Sequence, residues 1–238
     1  MNQISWTERY LKRASLRCFL PFVFLFMLPA SEARPDTEFF GASLIMVQGD
    51  ASEYLDAIEV LGPDNSPLSE NTKISYYADD RIVLDFDLSE TPEKMIVLHP
   101  RPEGSYVFHI EWGYETSVSI MDSGPHMDLR NWKHHLSEWQ ELEEVGLNSF
   151  VCPEVASSEF PDVSNTAIVE AVREETGDWA QRGYDPGDRW IRLAEQCASP
   201  NEYPCGVSIS RISLKISVDG SGRRKEILNV DFLIPMGC

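Results

Sequence analysis

Basic side chains are scarce in this chain, which sets 20 Lys and Arg against 39 Asp and Glu for a formal net charge of −19. Nucleic acid and anionic membrane surfaces both recruit clustered Lys and Arg, so the deficit argues against either as a partner. Any charged partner is expected to be a basic protein, with acidity that merely maintains solubility as the competing reading. Long apolar runs are also missing after the first 30 or so residues, where nothing approaches the ~20 residues a spanning helix needs. The mature chain is therefore expected not to insert into a membrane. Cysteines number only five, and no CxxC pair or HxxxH spacing offers a zinc site. There is no GxxxxGK[ST] loop, HExxH, SxxK or GxSxG elbow, and no cofactor is implied. No N-x-Ser/Thr sequon with an allowed middle residue follows residue 33, which favours a bacterial envelope over a eukaryotic secretory route.

The amino terminus is the most legible segment. Arg9, Lys12, Arg13 and Arg17 precede an uncharged run from Cys18 to Leu28, followed by Pro29, Ala30 and the small-residue site Ser31-Glu32-Ala33. That is the pattern of a secretory signal peptide at 1–33, with an uncleaved anchor as the alternative. The expected destination is the periplasm or the exterior, and the expected mature start is Arg34. Cleavage there leaves 16 Lys and Arg against 37 Asp and Glu, a net of −21. Cys152, Cys197, Cys205 and Cys238 remain, an even number in an oxidising compartment. Of the three connectivities, the short Cys197–Cys205 loop favours one local bridge and leaves Cys152 for Cys238.

Residues 34–238 read as one α+β domain, with a split near Pro125 as an alternative. Short alternating runs suggest strands at 43–47, 73–77, 82–88, 94–99, 106–112 and 115–121, while 53–61 fits either strand or helix. The middle changes period. Leu129, Trp132, Leu136, Trp139 and Leu142 fall within one helical arc, predicting a helix from Asp128 to Gly146. Further helices are expected over 164–176, ending at Gly177, and from Asp185-Pro186 with Cys197 turned inward. Ile212, Leu214, Ile216 and Val218, then Leu228, Val230, Phe232 and Ile234, predict a C-terminal hairpin turned at 219–222. The expected fold is an antiparallel sheet with a helical middle segment of about three helices.

Candidate chemistry is thin. Ser221 sits at a turn where glycines serve backbone geometry, which disfavours a nucleophile. On the helix grid His134 and His135 face different ways and cannot share a metal, whereas His126 with Asp122 and Asp128 could hold a divalent ion across their loop. Asp79, Asp80, Asp85 and Asp87 form the densest acidic cluster, in a half that carries 18 acidic and 5 basic residues over 34–124. They read as a solvated sheet face, a partner-facing patch with Tyr77 as anchor, or a carboxylate pair for catalysis or calcium. Glu138, Glu141 and Glu144 form a second acidic stripe without matched Lys partners, read first as a plain solvated face and otherwise as a second surface for a basic partner.

Three functions compete on this reading. An exported acidic binding protein, of inhibitor or immunity type, would neutralise a basic enzyme or toxin by covering its active site. A structural or accessory envelope protein ranks next, and an exported enzyme with a scattered site ranks last.

Overall fold

The alternation of apolar and polar residues builds two sheets, because a strand buries every second side chain and needs a facing layer to receive them. The computed structural model describes residues 43–236 other than 63–64, 125, 131, 184–187, 200–201 and 221. The expected signal peptide, the Arg34 start, Pro125, Asp185, Pro186, Ser221 and Cys238 lie outside the described residues.

Strands β1 (Leu44–Met46) and β2 (Leu55–Leu61) come first, then the hairpin of β3 (Lys73–Ala78) and β4 (Arg81–Asp85), β5 (Lys94–Pro100) and the long β6 (Phe108–Ile120). Five short strands follow: β7 (Met127–Asp128), β8 (His135–Leu136), β9 (Gln140–Glu141), β10 (Glu144–Gly146) and β11 (Ser149–Cys152). Helices α1 (Asn165–Gln181) and α2 (Arg189–Ala194) precede the closing hairpin of β12 (Cys205–Asp219) and β13 (Arg224–Leu233). Among the described residues one sheet runs β1-β2-β5-β11-β10 and the other β3-β4-β13-β12-β6, with β7, β8 and β9 strung along the outer edge of β6.

The mixed, sheet-dominated class agrees with expectation, but three details differ. Among the described residues there are two sheets rather than one, two α-helices rather than about three, and β4 pairs with β13 in parallel. The segment expected to be a helix over 128–146 is an irregular edge strand instead. Its amides bond to β6: Leu129 N–H to the Val118 carbonyl at 2.9 Å, His134 to Thr116 at 3.0 Å, Ser137 to Tyr114 at 2.9 Å and Leu142 to Ile110 at 2.8 Å. A strand as long as β6 would otherwise expose a row of unpaired backbone groups, and that demand outweighs a modest local periodicity. Of the five arc residues only Leu129 and Leu142 are buried, while Leu136 and Trp139 are 56% and 42% exposed.

Ile58 and Val60 of β2, Ile96 and Leu98 of β5 and Phe150 of β11 face Ile110, Leu214, Ile216, Val230 and Phe232 of the other sheet in one core. Each fully buried aliphatic chain there contributes about 1.5–3 kcal/mol. Beyond the first sheet's reach, the same face of the second continues as the paired residues Val118–Val207 and Ile120–Cys205. There Ile168 and Val172 of α1 and Trp190 and Ala194 of α2 cover it in a second core. β12 keeps apolar residues on this face despite switching from odd positions (Val207, Ile209) to even ones (Ile212, Leu214). A bulge between Ile209 and Arg211 absorbs the extra residue.

α1 runs through Gly177 to Gln181. A mid-helix glycine costs about 1 kcal/mol relative to alanine, and contacts beyond it compensate: Trp179 packs on the second core and donates its indole N–H to Glu175 at 2.9 Å. The Asn165 amide donates to the Ala194 and Cys197 carbonyls, both at 2.9 Å, tying the start of α1 to the end of α2. No helix among the described residues is long and apolar enough to cross a membrane.

Candidate functional site

Asp79 and Asp80 form the two-residue turn of the β3–β4 hairpin, since Ala78 pairs with Arg81. Asp79 lies against Gly49, where a Cβ would come within 2.4 Å and where φ is +65°, so glycine is required there on both counts. Asp85 and Asp87 lie at the other end of β4, roughly 16 Å away at ~3.3 Å per residue. Asp85 accepts from the Ser75 hydroxyl at 3.1 Å. Asp87 accepts from the Ser89 hydroxyl at 2.6 Å and its amide at 2.9 Å, bonds that hold its pKa below the usual carboxylate value. Tyr77 donates its hydroxyl to the Met46 carbonyl at 2.6 Å, and burial raises its pKa. It fastens β3 to β1, while neighbouring Tyr76 is the exposed ring of the hairpin. The four aspartates thus form two separate pairs.

The histidines and cysteines are dispersed as well. His126 Nδ1 lies 2.7 Å from Asp128, whereas Asp122 bonds to Arg189 and the Ser123 amide, so these three do not converge. His134 sits 2.9 Å from the Thr116 hydroxyl, and its burial depresses its pKa. No group of three or more His, Cys, Asp or Glu among the described residues is placed to hold a metal. Cys197 and Cys205 meet in the second core, and the hydrogen bond between them raises the Cys197 pKa and lowers that of Cys205. Cys152 is buried, its thiol pushed up to about 12 by desolvation against the opposing pull of Lys94.

The outer face of the second sheet collects groups that no local motif announces. Strand register aligns Lys73, Asp85, Leu233, Arg211, Glu115 and Leu136 in one row across six strands. Lys133 reaches Glu115 at 2.7 Å, and Arg211 approaches the same carboxylate at 3.7 Å. In the next row Asp231, 4% exposed, accepts from Arg81 Nε at 2.8 Å and from the Ser213 hydroxyl. Trp139 lies across Gly113, with the Lys215 ammonium 3.8 Å from its ring centroid. The only sequence signal for this face is the alternation of polar with apolar residues along β12. At the end of the face a cavity of about 490 Å³ is walled by Phe86, Ile234, Pro235 and Met236 and rimmed by Asp85, Glu115, Arg130 and Arg211.

The segment joining the two sheets is exposed and mixed in character. Leu136, Val145 and Leu147 are 56%, 61% and 88% exposed, with Glu138, Glu141, Glu143 and Glu144 among them. His109 at 2.7 Å and Arg224 at 3.1 Å hold the Glu141 pKa down. Glu144 accepts the Asn148 amide at 2.6 Å. Glu138 and Glu143 pair with no other described residue. The helical periodicity that suggested an amphipathic helix had merged this edge with the core. Compared with protein-family models, with curated proteins and with solved structures, the chain has no match.

Proposed function

We propose that this chain is an exported binding protein that docks a basic protein and neutralises it by covering its functional surface, acting in the periplasm or outside the cell. The observation that carries the reading is the 136–147 edge, where exposed aliphatic side chains alternate with four glutamates. Apolar residues that a soluble surface usually hides supply burial energy, and the surrounding carboxylates select and steer a cationic partner. Leu147 and Val145 are the anchors, each able to contribute about 1.5–3 kcal/mol on full burial. Glu138 and Glu143 provide charge that no neighbouring described base neutralises. The hairpin-tip pair Asp79 and Asp80, with Tyr77 and the Asp85 and Asp87 pair behind it, supplies a second acidic surface that adds to long-range steering.

The test is capture from the exported fraction of the native cell on immobilised mature chain, followed by stopped-flow association with the captured protein. A basic partner should associate about tenfold more slowly at low salt when Glu138, Glu141, Glu143 and Glu144 are all glutamine, with a flatter salt dependence. Leu147→Asp should raise the dissociation rate by tenfold or more. Asparagine at Asp79, Asp80, Asp85 and Asp87 should slow association less. A captured partner that is acidic, or rates indifferent to both glutamine and Leu147 replacements, would overturn the proposal.

A further inference from the structure

We propose that the cavity at the end of the second sheet's outer face binds an apolar carboxylate, with Arg211 as its principal recognition group. The proposal goes beyond the docking edge and does not depend on it. The cavity's volume of about 490 Å³ lies within the roughly 300–1,000 Å³ typical of small-molecule sites. Phe86, Ile234, Pro235 and Met236 form an apolar wall on one side, and the rest of the lining is polar and charged.

The rim is what selects the ligand. Arg211 offers five donors in a planar fork, yet its side chain makes no hydrogen bond to another described residue, and its Nε is buried without a partner. Its one ion-pair contact among the described residues is the 3.7 Å approach to Glu115, whose carboxylate is already held by Lys133 at 2.7 Å. Arg130, on the same rim, reaches only Asp128 among the described residues, at 3.8 Å. Buried donors are normally satisfied, so Nε, the buried atom of a side chain otherwise 31% exposed, marks a missing acceptor. A planar anion that can accept two parallel N–H bonds is its natural complement. The two rim carboxylates do not fill this role: Glu115 is neutralised by Lys133, and Asp85 accepts from Ser75 on the neighbouring strand at 3.1 Å. In a chain of net charge −19, Arg130, Lys133 and Arg211 balance the rim carboxylates Asp85 and Glu115 and the adjacent Asp128, so the rim is locally neutral.

A free organic acid and the C-terminus of a peptide present the same chemistry, and the assay separates them. The mature protein is titrated by calorimetry and by amide NMR with phenylacetate, with its neutral amide, and with the peptide Gly-Gly-Phe bearing a free or an amidated terminus. The carboxylate forms should bind and shift the amides of Phe86, Ile234 and Met236, while the amides should bind at least about tenfold more weakly. Tighter binding of phenylacetate identifies a free acid as the class, and tighter binding of the peptide identifies a C-terminus. Arg211→Gln should weaken the carboxylate about tenfold or more, with Arg211→Lys intermediate because it keeps the charge and loses the fork. Arg130→Gln, at a side chain 72% exposed, preserves the fold if Arg211→Gln does not, and should also weaken binding. Equal binding of acid and amide, unchanged affinity in the variants, or no carboxylate binding at about 10 mM would overturn the proposal.

Discussion

Replacing Glu90 with glutamine should strand a cation inside the first core. The Lys94 side chain is fully buried, with its ammonium 2.8 Å from Glu90 and 4.8 Å from the Phe86 ring centroid. The other Glu90 oxygen accepts the Ser69 amide, so the carboxylate joins a loop to β5 as well as neutralising the lysine. Breaking a buried pair by removing one charge costs about 3–5 kcal/mol, because the remaining ion has neither water nor partner. The Phe86 ring face retains about 0.5–2 kcal/mol of attraction for the ammonium, which places the expected loss near the lower end of that range. Lys94→Met removes the cation while keeping most of its volume, and it leaves Glu90, 10% exposed, bonded to Ser69. The double variant then contains no buried charge and should be more stable than Glu90→Gln alone by about 2 kcal/mol. Urea unfolding followed by tryptophan fluorescence measures this directly. At a slope of about 2 kcal/mol/M, a loss of about 3 kcal/mol lowers the midpoint by about 1.5 M. A double variant less stable than the single, or a Glu90→Gln cost under about 1 kcal/mol, would refute the reasoning.

Two further outcomes are expected. Oxidation should join Cys197 to Cys205, whose side chains already meet, and closing this short loop should add about 2–3 kcal/mol to stability. Non-reducing peptide mapping checks that pairing and also tests the Cys152–Cys238 bridge, which free thiols at those positions would exclude. Burial depresses the His134 pKa in the folded state, so the unfolded chain binds the proton first as pH falls. The contribution of His134 is complete above the unfolded value of about 6.5 and is lost as pH falls below it. His134→Gln should therefore flatten the rise in unfolding midpoint between about pH 5.5 and 7.5, and an unchanged slope would discount the group.

Elements whose pattern and partner are close in sequence were legible. The β12–β13 hairpin follows from Ile212, Leu214, Ile216 and Val218 alternating against Leu228, Val230 and Phe232 across a short turn, and all seven are buried. The short strands β3 and β5 likewise lie where alternation places them. The runs 106–112 and 115–121, read as two strands, are joined in the single strand β6 (Phe108–Ile120), because its centre at Gly113 remains paired to Ser213 of β12. The acidic residues were found by counting, but their grouping was not. Asp80 and Asp85 lie close in sequence, yet an extended strand carries them to opposite ends of a hairpin.

Composition and local periodicity were enough to establish an acidic chain of predominantly alternating pattern, with its closing hairpin and with α1, because these depend on residues within a few positions of one another. Tertiary structure alone decided that residues 128–142 line the edge of β6, since the backbone groups they satisfy belong to a strand elsewhere in the chain. It also decided the parallel β4–β13 pairing, which brings Arg81 to Asp231 across 150 residues. The row that sets Arg211 beside Glu115 and Leu233 arises in the same way, from register across strands. Register is chosen by the whole buried face at once, so the polar groups it gathers on the opposite face carry no local signature.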